Sequence, residues 1–115
     1  MLPEDDRVRL QHMLDAALKA LRIAAGHRRE DLDLEDEPLS DALVRLISVI
    51  GEAANRVSPA TRSELVDIPW SDLVGMRNRL IHGYFDIDLD ILWTTVQDVL
   101  PGFAQRLELA LADDE

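Results

Sequence analysis

The chain has 115 residues, 47% of them hydrophobic, and a formal net charge of −11 at pH 7. That length fits one domain, residues 1–115, with a real core but no room for large internal cavities. The absence of cysteine excludes disulfides and thiolate zinc sites and favours a reducing cytoplasm. We expect a soluble, cytoplasmic protein, because no apolar run approaches the roughly 20 residues of a membrane span and the N-terminus has no leader pattern.

The charge balance argues against a protein that coats nucleic acid nonspecifically, because such proteins need a basic field to release counterions from phosphates. It leaves room for one local basic cleft. Lys19 is the only lysine, and several arginines lie in the middle of the chain, at Arg45, Arg56, Arg62, Arg77 and Arg79.

The first predicted helix runs from Asp5 to Gly26. Apolar residues recur there at the three-four spacing of an amphipathic helix, which Asp5 or Asp6 can cap and Gly26 can end. His12 and His27 lie in this stretch or at its end. Neither has a second titratable residue at a suggestive spacing, so we interpret both as surface histidines.

The acidic segment from Glu30 to Glu37 looks at first like a metal loop. A calcium loop needs glycine at its sixth position and glutamate at its twelfth, and counting from Asp31 these positions hold Asp36 and Ala42. A second series of alternating acids, beginning at Asp86, fails at the same two positions. We therefore expect no metal site, and we interpret the first segment as a solvated linker.

The second helix is predicted from about Pro38 to Val57, with proline at its first turn and Ser58-Pro59 stopping it. Ala60 to Val66 suits a short helical turn, and Ile68-Pro69-Trp70 suits an apolar connector that closes over the core. The apolar stripe of the second helix consists of Leu39, Leu43, Leu46, Ile47, Ile50, Ala54 and Val57.

A third helix is predicted to begin at a Ser71 or Asp72 cap, to reach at least Ile81 and to end at Gly83. Its buried side is expected to comprise Leu73, Val74, Met76, Leu80 and Ile81. His82 and Tyr84 would then lie at or just past the C-terminal end of this helix, where backbone carbonyls favour a protonated imidazole.

The last helical stretch follows Asp86, Asp88 and Asp90, which we interpret as helix caps. Pro101 is expected to bend or break this helix before Phe103. No stretch of alternating polarity is long enough for a strand pair. The chain is therefore predicted to be all-α, an antiparallel up-and-down bundle of four helices, or five if Pro101 breaks the last.

Residues Arg77 to Tyr84, Arg-Asn-Arg-Leu-Ile-His-Gly-Tyr, place the most reactive side chains of the chain close together. A permanent cation, a group that titrates near neutrality and a phenol lie within about two helical turns. The arginine fork matches phosphate oxygens, and imidazole can take and give a proton at neutral pH. This combination suits chemistry on phosphate esters.

A structural role is the alternative for these residues, because arginines often pair with acids and histidines often cap helix ends. Two features favour function. Arg77, Asn78 and Arg79 are consecutive polar side chains that point in different directions, and His82 and Tyr84 flank a glycine.

The segment resembles the HepT-like proteins of the HEPN superfamily, toxin partners of minimal nucleotidyltransferases in prokaryotic toxin-antitoxin pairs. The hallmark of that family is arginine, a polar residue, three further residues, histidine, any residue and tyrosine. Arg77, Asn78, His82 and Tyr84 satisfy it without a gap. The resemblance extends over roughly Leu39 to Leu111.

The resemblance implies an all-α homodimer whose two motif helices share a cleft, acting as a metal-independent endoribonuclease toxin of a type VII pair. It implies Arg77 and His82 as catalytic residues, with Asn78 and Arg79 orienting the RNA. It also implies no cofactor, and silencing by a nucleotidyltransferase antitoxin that transfers AMP to Tyr84. The alternatives are a non-catalytic, substrate-binding subunit of that nucleotidyltransferase, or a plain helical scaffold.

Overall fold

The computed structural model of the protein describes residues 1–33, 38–82 and 86–114, and most of this part of the chain is helical. The α-helices span Glu4–Ala24 (α1), Leu39–Arg56 (α2), Pro59–Glu64 (α3), Trp70–Leu80 (α4), Leu89–Thr94 (α5) and Leu100–Asp113 (α6). A 3-10 turn covers Arg29–Asp33 and a π-helical turn covers Thr95–Val99. The prediction of an all-α bundle is confirmed.

The core lies between α1 and its neighbours, because α1 packs against α2 and α6, and α2 packs against α4. Each helix contributes one apolar stripe, as its three-four spacing predicts. The largest fully buried side chains include Leu10, Met13, Leu43, Ile47, Ile50, Leu73, Leu80, Leu92, Leu100, Phe103 and Leu107. None of the described helices is both long and apolar enough to cross a membrane.

The start of α1 differs from the prediction. The helix begins at Glu4, after Pro3, and no side chain caps it. Asp6 instead points inward, where its carboxylate accepts hydrogen bonds from the Ser58 backbone N–H (3.0 Å), Ser58 Oγ (2.5 Å) and Thr61 Oγ1 (2.5 Å). Asp6 therefore ties the first turn of α1 to the start of α3.

The end of α1 agrees better with the sequence. The helix stops at Ala24, and Gly26 follows with φ +81°, a conformation that glycine adopts without steric cost. His12 is exposed as expected. His27 is half-buried, and its Nδ1 is buried without a hydrogen-bond partner among the described residues, so its interpretation as a surface histidine is wrong.

The first part of the acidic segment has regular structure, unlike the solvated linker that was predicted. Arg29–Asp33 form the 3-10 turn, and Leu32 is buried in the core. Residues 34–37, the rest of the predicted linker, lie outside the described part of the chain.

The α2 helix matches its predicted bounds to within one residue, and the short helix after it, α3, begins at Pro59 with Ser58 as its cap. Arg62 of α3 donates to the carbonyls of Ala54 (2.8 Å) and Val57 (3.1 Å) at the end of α2. Its guanidinium also lies 5.8 Å from the centroid of the Trp70 ring. Arg62 thus provides hydrogen bonds to carbonyls at the end of α2 and makes a cation–π contact with the first residue of α4.

The last helical stretch is continuous through Pro101. Proline has no N–H and its ring clashes with the carbonyl four residues earlier, which an α-helix cannot accommodate. The helix widens into the π-helical turn just before it, where the Leu100 N–H bonds the Thr95 carbonyl. Among the three predicted caps, Asp88 caps α5 by accepting from the Ile91 N–H at 3.0 Å. The start of this stretch is therefore confirmed, and of the two alternatives expected at Pro101, a bend or a break, the structure shows no break.

Candidate functional site

The α4 helix carries the three polar side chains predicted to act on RNA. It begins at Trp70, without a side-chain cap, so the Ser71 or Asp72 cap is wrong. Its buried side consists of Leu73, Met76 and Leu80. Val74 is wrongly predicted as buried, since 37% of it is exposed.

The helix ends at Leu80, one residue before the prediction. Ile81 is extended, at φ −112° and ψ 118°, and its N–H bonds the Arg77 carbonyl. Arg77 and Arg79 therefore lie in the last turn, where the negative end of the helix dipole favours cations.

A minimal strand pair follows α4, although no strand pair was expected from the sequence. Ile81–His82 (β1) pairs antiparallel with Asp86–Ile87 (β2), with Ile81 opposite Ile87 and His82 opposite Asp86. The Asp88 N–H also donates to the Leu80 carbonyl at 2.8 Å. These bonds fix the direction in which the backbone of His82 leaves the helix.

Residues 83–85 lie outside the described part of the chain, and with them the predicted terminator Gly83 and the predicted modification site Tyr84. The structure therefore brings Arg77, Asn78, Arg79 and the backbone of His82 to one end of α4.

The three polar side chains of α4 are exposed but differ in their contacts. Arg79 donates to the Asp72 carbonyl at 2.8 Å, and its guanidinium lies 3.5 Å from the Asp72 carboxylate. Arg77 and Asn78 make no side-chain hydrogen bond or ion pair within the described ranges. The donors of Arg77 and Asn78 are therefore available to a ligand.

The other wall of the site comes from α2 and was missed by the sequence analysis. A small cavity of about 150 Å³ is lined by α4 residues Val74, Arg77 and Asn78 and by α2 residues Ser48, Gly51, Glu52 and Asn55. Three of these α2 residues are polar, at a four-three spacing on one face of the helix. That spacing is the signal that could have identified them.

Gly51 brings the two walls together. An added Cβ at this position would lie 2.9 Å from the Leu73 carbonyl oxygen, closer than real Cβ atoms approach. Glycine is therefore required for α4 to pack this tightly against α2, and the packing places Arg77 beside Glu52 and Asn55.

Within the described ranges, no group of three or more histidine, aspartate or glutamate side chains could hold a metal ion. The described side chains offer the site a phosphate-binding cation and an amide, and in the sequence an imidazole follows at His82.

Known proteins are similar to this chain in sequence. A family model described as ribonuclease HepT-like matches residues 13–110. A protein provisionally named an RNase in Caldanaerobacter subterraneus subsp. tengcongensis is 29% identical over 106 residues, covering 92% of this chain and 94% of that protein.

Two archaeal proteins are similar over shorter stretches. One, provisionally named an RNase in Methanocaldococcus jannaschii, is 37% identical over 68 residues, which cover 59% of this chain and 62% of that protein. The other, provisionally named ribonuclease HepT in Thermococcus cleftensis, is 33% identical over 73 residues, covering 64% and 66% of the two chains. No solved structure matches the chain. Because the family model spans most of its length and includes the segment from Arg77 to Tyr84, the chain belongs to the HepT-like ribonuclease family.

Proposed function

We propose that the protein is a metal-independent endoribonuclease that acts as the toxin of a type VII toxin-antitoxin pair in the cytoplasm. The observation that carries the proposal is the exposed Arg77, without an ion pair in the described part of the chain, beside Asn78 at the end of α4. His82 follows Arg77 by five positions in the sequence, and the chain belongs to a ribonuclease family.

The proposed reaction is an internal transesterification of RNA. A ribose 2′-oxygen attacks the adjacent phosphorus and loses its proton, while the bond from phosphorus to the 5′-oxygen breaks and that oxygen gains a proton. His82 moves one of these protons, a role typically worth ~10²–10⁴ in rate. Arg77 stabilises the charge that develops on the phosphate, and Asn78 and Arg79 orient the RNA.

The proposed active species is a homodimer whose two motif helices share a cleft, so that two copies of His82 supply an acid and a base without a metal. Exposed apolar side chains support a contact between copies. Val74 lies in the site, Ile91 lies on α5 and Val99 lies in the π-helical turn, each with 37% of its surface exposed. Burying such side chains against a second copy is favourable.

The catalytic proposal is tested with purified protein and a labelled RNA. Arg77→Ala and His82→Ala should each lower the cleavage rate by about a hundredfold or more while leaving helicity and oligomeric mass unchanged, and EDTA should not inhibit the wild type. Arg106→Ala, an exposed change on α6, is the matched control and should cleave normally. Equal cleavage by wild type and His82→Ala would contradict the proposal, as would activity that depends on added divalent ions.

Silencing is proposed to occur at Tyr84, by transfer of AMP from ATP through a cognate minimal nucleotidyltransferase. The phenol oxygen forms a bond to the α-phosphorus, its proton is lost and pyrophosphate leaves. Tyr84 follows His82 by two positions, so the attached anion could occupy Arg77 and repel RNA phosphates. Tyr84 is the only tyrosine of the chain, which makes a mass gain simple to assign.

Incubation with the nucleotidyltransferase, ATP and magnesium should add one or more AMP units by intact mass, and Tyr84→Phe should remove that gain and escape silencing. Modification of Tyr84→Phe to the same extent would refute the site.

The second candidate function is a non-catalytic, substrate-binding subunit of the nucleotidyltransferase, which the net charge of −11 favours because RNA is itself anionic. That candidate predicts complex formation without RNA cleavage.

A further inference from the structure

We infer that the groove between α1 and α2 binds a single RNA strand through its phosphates and leads it into the site at Arg77. This inference rests on the proposed function and deepens it, because it names the surface that holds the substrate on either side of the scissile bond.

The groove consists of two depressions that follow α2. The first, about 430 Å³, includes Arg9 and His12 of α1 and Arg56 of α2. The second, about 320 Å³, includes Lys19 of α1 and Arg45 of α2. Val49 lines both depressions, so they form one continuous groove.

The groove is also continuous with the candidate site. Glu52 lines both the first depression and the small cavity that contains Arg77 and Asn78. A strand that lies in the groove would therefore reach Arg77 by passing over Glu52. Because Glu52 carries a negative charge, phosphates should bind before and after this position along the path of the strand. No phosphate should lie against Glu52 itself.

The charge of this surface differs from that of the molecule. The linings of the groove and the site cavity hold five permanent cations against two carboxylates, Asp5 and Glu52. The whole chain has 12 lysine and arginine residues against 23 acids. The cations are Arg9, Lys19, Arg45, Arg56 and Arg77. A polyanion should therefore be attracted to this face and repelled from the rest of the surface.

The cations of the groove are also available. Lys19, Arg45 and Arg56 are exposed and form no ion pair within the described ranges. Arg29, by contrast, is neutralised by Asp33 and Asp90. Unpaired arginine forks that line a concave surface match the oxygens of a phosphate backbone.

The test uses full-length protein carrying His82→Ala, so that the RNA stays intact, with or without Arg45→Glu and Arg56→Glu. The matched control carries Arg22→Glu and Arg106→Glu, which change the net charge equally at exposed positions outside the groove. A fluorescent single-stranded oligoribonucleotide reports affinity at several salt concentrations, and light scattering reports the mass of every variant.

We expect the groove pair to lower affinity by about tenfold per arginine at low salt. It should also reduce the slope of log affinity against log salt by about 0.7 for each lost phosphate contact. The control pair should change affinity only a few-fold. In the wild-type background, the groove pair should raise KM and leave kcat nearly unchanged.

Equal losses in the groove pair and the control pair would overturn the inference, because the effect would then come from net charge. A loss that accompanies a change of mass would also overturn it, since the groove would then be a contact between copies of the chain. If the groove pair binds RNA normally while the wild type cleaves, the groove assignment fails and the ribonuclease proposal stands. If the wild type neither binds nor cleaves RNA, both fail.

Discussion

The two arginines at the end of α4 differ in their side-chain partners. Arg79 is engaged by the carbonyl and carboxylate of Asp72, whereas Arg77 has no such partner in the described part of the chain and lines the site cavity. Only Arg77 can therefore give all its donors to a phosphate, while Arg79 must share them. The two residues should contribute unequally to cleavage.

Arg77→Ala is expected to lower kcat by about 10²–10³, the usual effect of removing one group that stabilises transition-state charge. Arg79→Ala should lower it by less than about tenfold and mainly raise KM, since its proposed role is to orient RNA. Steady-state kinetics on a defined oligoribonucleotide give both values, with thermal unfolding as the check on folding. An equal loss of kcat in both variants would show that the pairing with Asp72 does not distinguish them.

Asp6 is a buried carboxylate, only 4% exposed. Burial alone would raise its pKa, but hydrogen bonds from Ser58 and Thr61, helped by the charge of Arg9, hold the pKa below its ordinary value. The folded pKa is thus lower than the unfolded one. Asp6 therefore stabilises the fold above the unfolded pKa of about 3.9, and this contribution is lost as pH falls through the folded pKa.

Asp6→Asn should lower the free energy of unfolding by about 1–3 kcal/mol near neutral pH, because the amide cannot accept all three hydrogen bonds. It should also weaken the loss of stability that the wild type shows as pH falls from about 5 through the folded pKa of Asp6. Urea unfolding across this range provides the measurement. Asp5→Asn, at an exposed neighbour, is the control and should behave like the wild type. An unchanged acid dependence in Asp6→Asn would contradict the assignment.

At the residue scale, sequence reasoning can select side chains that carry their own chemistry but not those whose role depends on a distant partner. Arg77 could be selected because its charge and its spacing from His82 are visible in one segment. The role of Asp6 could not, because its partner Ser58 lies 52 residues away. For the same reason the contribution of Glu52 to the site was not foreseen.

At the element scale, the helix α2 was predictable because its apolar period is regular and prolines flank it. The start of α4 was not, because Ser71 and Asp72 look like caps while Trp70 is already fixed by contacts with Leu65 and Arg62. The passage of the last helix through Pro101 was also unpredictable. It depends on a π-helical turn, which leaves no mark in the apolar period.

The close approach of α2 and α4 makes a specific prediction at Gly51. Gly51→Ala would place a Cβ against the Leu73 carbonyl, so α4 must move and carry Arg77 with it. We expect a loss of about 1–3 kcal/mol of stability, as for other overpacked sites, together with reduced cleavage. Urea unfolding and cleavage assays measure the two effects.

Gly102→Ala is the control for this change, because nothing lies within 4 Å of its Cβ position on α6. It should stabilise the protein by roughly 0.5–1 kcal/mol, since glycine disfavours a helix, and leave cleavage unchanged. A Gly51→Ala protein as stable and as active as the Gly102→Ala protein would show that the contact of α2 and α4 does not position the site.

At the scale of the whole molecule, the sequence indicates an all-α domain but not which faces meet another copy. Val74 was predicted as a core residue from its spacing, yet 37% of it is exposed. Its exposure depends on which helices neighbour it, and periodicity does not specify that. The partly exposed apolar side chains of the folded protein therefore support the proposed dimer. A dimer with a shared cleft has a kinetic consequence.

If both copies of His82 act on one phosphate as acid and base, then a dimer with one His82→Ala subunit should be nearly inactive. Co-expression of wild type and His82→Ala with different affinity tags, followed by two-step purification, isolates this mixed dimer. Its kcat should lie close to that of the His82→Ala homodimer, since loss of either proton transfer costs ~10²–10⁴ in rate. A mixed dimer of wild type and Arg106→Ala, prepared in the same way, should keep full activity and controls for the tags. Half of the wild-type activity in the His82→Ala mixed dimer would mean that each subunit cleaves RNA alone, and a monomeric mass in light scattering would refute the shared cleft itself.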